Sequence, residues 1–141
     1  MSMNLLAVQD QITAKLNELA QDVYETSAPE DSKLNFDSSG NMLPFIVVQY
    51  SDMYPTGVNG SILSAKYDVA QSYVLVSCVA TQERAARQIA DLVRDKLTGF
   101  QPDDAGELRF AGGSIEYSEP YTKSGTYSAD VSFILNVNTA W

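Results

Sequence analysis

Apolar residues in the first segment, Leu5, Val8, Ile12, Leu16, Leu19 and Val23, recur at spacings of three and four, with Gln, Asp, Lys and Glu between them. That period predicts an amphipathic helix with one stripe turned to a core. Asn4 or Ser2 can cap its start, and Pro29 within TSAPEDS ends it. Residues 27–43 form a polar connection anchored by Leu34, Phe36 and Met42. Residues 44–50, PFIVVQY, are apolar on both faces and predict a strand with a helix on one side and another layer or subunit on the other. Breakers Pro55, Gly57, Asn59 and Gly60 make residues 52–65 a long exposed loop or extended hairpin, a length often tied to function.

A second strand is predicted over residues 67–79, with Val69, Tyr73, Leu75 and Val79 on one face and Val74, Val76 and Cys78 on the other. It runs straight into TQERAARQIADLVRDKLTGF, where Ala85, Ala86, Ile89, Leu92, Val93 and Leu97 form the apolar face of a second helix. Thr81 is its expected cap, a contact typically worth about 1 kcal/mol. Gly99 stands where a left-handed residue ends helices. Next, Leu108 and Phe110 share a strand face, but Ile115 and Tyr117 lie an odd number of residues further on. A bulge or turn at Gly112 and Gly113 would reset the register. In the last strand Tyr127, Ala129, Val131, Phe133, Leu135 and Val137 alternate with mainly polar residues, so one face is core. The order predicts an α+β two-layer sandwich, αββαββ, with two helices on a mainly antiparallel four-stranded sheet plus the extended loop or hairpin. No repeat or long linker divides residues 1–141, which are expected to form a single domain.

Composition narrows the chemistry. Histidine is absent, which removes the commonest general base, the Ser/His and Cys/His pairs and the usual zinc ligand. Cys78 sits in an apolar run, where a thiol is a small hydrophobe, and a single cysteine with no signal-like start fits a reducing cytoplasm. No apolar run approaches the roughly 20 residues of a membrane helix, so a soluble chain without a membrane partner is expected. The formal charge of −9 disfavours a grip on nucleic acid through a broad basic surface. Asp103, Asp104 and Glu107 lack the alternation and central glycine of a calcium loop. The glycine pair is followed by neither a helix start nor a lysine, so it does not suit phosphate, and VATQER lacks an elbow nucleophile. No enzyme activity, metal or cofactor is expected.

Contact residues are the remaining candidates. Arg84, Arg87 and Arg94 stand together in an otherwise acidic chain. They read either as a solvated face with ion pairs such as Arg87–Asp91 and Asp91–Arg94, or as a basic strip that meets an acidic strip on a neighbouring subunit. Tyr54, Val58 and Ile62 of the long loop, and Trp141 as a docking anchor, complete the candidate interface. The tyrosines of the strands suit either a partner surface or a strand alone.

The stretch YVLVSCVATQERAARQIADLVRDKLTGF, followed by a glycine-containing strand and by YSADVSFILNV, resembles the tail terminator proteins of tailed bacteriophages, in particular the Mu-like family of contractile-tailed phages. The likeness in architecture spans most of the chain and is concentrated in residues 69–100 and 127–137. It implies a non-enzymatic homo-oligomer, usually a hexameric ring, that caps the tail tube, stops its growth and presents a surface to the neck or connector. The tail tube protein, the neck or connector protein and the sheath are the implied partners, and DNA passes through without specific binding. The implied location is the virion tail and neck, assembled in the host cytoplasm. Two helices on an antiparallel sheet equally suit a small-ligand regulatory or adaptor domain, which is the alternative reading.

Overall fold

The computed structural model describes residues 4–26, 35–40, 42–52, 54–55, 67–103, 105–118 and 126–140. Its elements run α1 (Leu5–Leu16), β1 (Asp22–Glu25), β2 (Phe45–Tyr50), β3 (Tyr54–Pro55), β4 (Tyr67–Ala80), α2 (Glu83–Leu97), β5 (Leu108–Ser118) and β6 (Thr126–Ala140). Five strands lie in the order β1-β2-β4-β6-β5, and the short β3 pairs separately with β4. The class is α+β as expected, but the sheet is mixed and larger than the expected four antiparallel strands, because β1 adds in parallel to β2.

The extra strand comes from the stripe read as one long helix. Asn4 caps α1, its side chain accepting from the Ala7 amide at 3.1 Å, and the helix then closes at Asn17. There the bonds tighten to three-residue spacing, Glu18 N–H to the Lys15 carbonyl and Leu19 N–H to that of Leu16. Val23 and Tyr24, good strand formers, then pair with Ile46 and Val47. Leu19 and Val23 still pack against the main core, so the stripe marks core residues correctly but spans two elements. Glu18 fastens the turn to α2 through Lys96 at 3.0 Å and to α1 through Lys15 at 3.8 Å.

On the helix side, Ile46 and Val48 of β2, Val74, Val76 and Cys78 of β4, and Ala129, Val131, Phe133 and Leu135 of β6 form one buried cluster with Val8, Ile12 and Leu16 of α1 and the inner face of α2. The other side of β2 is also buried, as its apolar pattern demands. The covering layer is the chain's own: residues 35–40 and 42–43 come together through a Phe36–Met42 bridge and set Met42 against Phe45, Val47 and Val79. Tyr24 adds an edge-to-face contact on Phe45, ring centroids 5.7 Å apart. β3 is antiparallel to β4, Tyr54 opposite Gln71, which is the geometry of the expected hairpin.

Two details of α2 differ from expectation. Its cap position is Gln82, without a side-chain bond, because β4 runs on to Ala80 and Thr81 falls one residue early. Leu92 lies about 120° round the helix from the buried stripe, at 100° per residue, and is 49% exposed, whereas Ala90 is buried. The exit is as expected: Gly99 has φ 82°, and its amide donates to the Leu108 carbonyl at 2.9 Å, which stitches the end of α2 to the start of β5.

The glycine bulge is present. The β5–β6 register shifts between Phe110 and Gly112, with Gly112 at φ 130°, so Gly113 and Ile115 rejoin Leu108 and Phe110 on the helix side. A Cβ on Gly113 would lie 2.8 Å from the Asp130 carbonyl oxygen. Gly113→Ala is therefore expected to cost about 1–3 kcal/mol, read as a lower urea midpoint at unchanged m. Ser114→Ala next to it should stay within about 0.5 kcal/mol. Equal midpoints for the two variants would contradict the close strand approach.

Candidate subunit-contact groove

β5 is the last strand of the sheet, and among the described residues no helix lies over its Phe110–Ile115 stretch. It reaches that position because the chain leaves β4, passes through α2 and enters β5 two places away, and β6 then fills the gap. α2 consequently lies over β4 and β6 and only grazes β5. Phe110 and Ile115, on the core side of the sheet, are left 44% and 48% exposed. They form the floor of a groove of ≈ 590 Å³ between α2 and the outer strand, with Gly113 keeping it open and Ser114 and Asp130 along its rim.

The wall facing them is a flank of α2. At 100° per residue, Arg84, Arg87, Asp91 and Arg94 fall within an arc of about 80°. Arg87 and Arg94 line the groove, while Arg84 sits at the N-terminal end of the same flank. The Arg94 guanidinium lies 5.6 Å from the centre of the Phe110 ring, a cation–π distance, and also pairs with Asp91. Arg87 pairs with Glu83 at 3.4 Å, rather than with Asp91 as the sequence suggested. All four partners of these two pairs are substantially exposed, and such helix pairs are worth only about 0.3–0.5 kcal/mol. A competing partner can displace them at little cost.

The structure thus brings Arg87 and Arg94 together with an apolar floor that sequence reading did not assign. The available signal was the register reset itself, which returns Ile115 to the face of Phe110 on a terminal strand. Tyr54 does not join this site: β3 pairs on the β2 side of β4, away from β6 and β5. Val58, Ile62 and Trp141 lie outside the described residues.

Other chemically suggestive groups have structural roles. Tyr50 donates to the Gln9 carbonyl at 3.0 Å and lies 2.6 Å from Thr13 Oγ1, which donates to Glu25 at 2.9 Å. These bonds pin α1, β1 and β2 together. Burial pushes the Tyr50 hydroxyl above its ordinary pKa. Asp103 gives its amide to the Gln11 side chain at 2.9 Å, and among the described residues no group of three acidic or cysteine side chains is placed to hold a metal. No helix of the described residues is long and apolar enough to cross a membrane.

No protein-family model matches the chain, and no curated protein matches it in sequence. In fold it is similar to a solved chain from the virion of a native gene transfer agent particle. The TM-score is 0.61 at 17% identity, and the match covers 95% of this chain and 96% of the other. The two share an architecture over nearly their whole lengths.

Cys78 is fully buried, and its thiol is pushed up to about 12, first by burial and then by the charge of Asp130. A thiolate-selective reagent at pH 8 should therefore leave the folded protein unlabelled and modify it fully in denaturant. Rapid labelling of the native chain would contradict this burial.

Proposed function

We propose that this protein is a structural component of a phage-like virion and that it acts as a tail terminator. In this reading copies close into a ring, usually of six, that caps the finished tail tube, stops its polymerisation and presents a surface to the neck or connector. The observation that carries the reading is the near full-length likeness in fold to a chain of a virion particle. The finer assignment rests on the hydrophobic patterning of segments 69–100 and 127–137, which resembles that of Mu-like terminators.

The physical features fit a ring subunit. A sheet with a strand at each end has two edges at which neighbours can join, and a contact between unlike surfaces closes into a ring when its rotation permits. The groove supplies an apolar floor with weakly held cations, a composition suited to a specific polar-rimmed contact. A charge of −9 on each copy would make a ring that repels DNA in transit. The role requires no reaction and no cofactor.

Light scattering after size exclusion should give a mass several times that of one chain, and electron micrographs should show rings. Added to polymerising tail-tube protein, the rings should stop growth and sit at tube ends. A strictly monomeric protein that forms no ring even with tube protein would overturn the proposal.

A further inference from the structure

The two ends of the sheet differ in charge. All four arginines among the described residues lie on α2 or β5: Arg84, Arg87 and Arg94 on the helix, and Arg109 on the strand. Arg109 pairs in register with Ile134, which places it on the face away from the helices, so the β5 end carries arginine on both faces, interspersed with Glu83, Asp91 and Asp95 on α2 and with Asp130 beside the strand. Both described lysines, Lys15 and Lys96, are engaged by Glu18.

The opposite end is acidic. Glu25 faces the helix layer, where it accepts from Thr13, and Asp22 faces the other way, where it accepts from Asn35. Asp10 stands one helical turn from Leu6 on the outer flank of α1, and Leu6 is 66% exposed. Glu25 accepts from Thr13, Thr13 lies against the Tyr50 hydroxyl, and that hydroxyl donates to the carbonyl of Gln9 beside Asp10, so Asp10 and Glu25 occupy one locality. Among the described residues no strand pairs with the outer side of β1 or of β5.

Resting on the ring reading, we propose that copies join head to tail, the α2–β5 end of one chain receiving the α1–β1 end of the next. β1 of the incoming copy lies along the free edge of β5, and its α1 seats in the groove. Leu6 then covers Phe110 and Ile115, Asp10 and Glu25 approach Arg87 and Arg94, and Asp22 meets Arg109 on the far face. Because the two surfaces differ, an open arc of copies keeps one free end of each kind until the ring closes. The weak intrahelical pairs of Arg87 and Arg94 are exchanged for partners in a contact shielded from water, where charge complementarity fixes register.

Two variants test the contact, R87E/R94E at the basic end and D10K/E25K at the acidic end. Circular dichroism should report both as folded. Each alone should lose assembly and run at single-chain mass, because each has one dead end. Mixed in equal amounts they should regain assembly as alternating copies, since the intact acidic end of the first fits the intact basic end of the second and the two reversed ends carry swapped, complementary charges. A mixture that stays at single-chain mass, or either variant that assembles like the wild type, overturns the head-to-tail contact. If the wild type assembles while these results fail, only this inference falls; if the wild type never assembles, the ring reading falls with it.

Discussion

The structure depends on the antiparallel ladder between β4 and β6. All 14 residues of β4 pair with β6, from Tyr67 opposite Ala140 to Ala80 opposite Tyr127. This pairing closes a loop of more than forty residues, so its cost in chain entropy has to be met by side-chain burial along the same two strands. Val74, Val76 and Cys78 on one strand and Ala129, Val131, Phe133 and Leu135 on the other supply that burial, and α2 packs over them through Ala86, Ile89, Ala90 and Val93. The small alanines let the helix approach closely. Once β6 is placed beside β4, β5 has only the outer position left, and the uncovered groove follows from that topology.

Much of this architecture was legible in the chain. Strict alternation located β6 with its buried face, and mutually consistent patterns located β4 and α2. The parity conflict between Phe110 and Ile115 located the bulge, because a slip by one residue exchanges the two faces of a strand. The doubly apolar β2 correctly required cover on both sides, and of the layer or subunit expected on the far side it is a layer of the same chain that sets Met42 against Phe45 and Val47.

What was not legible depends on long-range placement. Leu19 and Val23 continue the helical spacing, and only their packing against the sheet shows that the chain has turned and that Val23 belongs to a parallel edge strand. Leu92 fits an apolar face in a list of hydrophobic residues, yet its position about 120° round α2 from the buried stripe leaves it in solvent. The arginine strip was visible, but the apolar floor opposite it was not. Phe110 and Ile115 have the pattern of core residues, and they are exposed because α2 only grazes the last strand.

Burial of the β5 edge on assembly is the central claim, and hydrogen–deuterium exchange of β5 in the assembled and dissociated states reads it directly. β6 protects the inner amides of β5 in both states, whereas beyond Leu108, whose amide donates to the Phe100 carbonyl, no strand among the described residues pairs with the outer side of β5 in the single chain. The account predicts slow exchange of peptides spanning residues 108–115 in the assembly and partial, fast exchange after dissociation, with the β4–β6 ladder unchanged. Fast outer-edge exchange that persists in the intact assembly would contradict it.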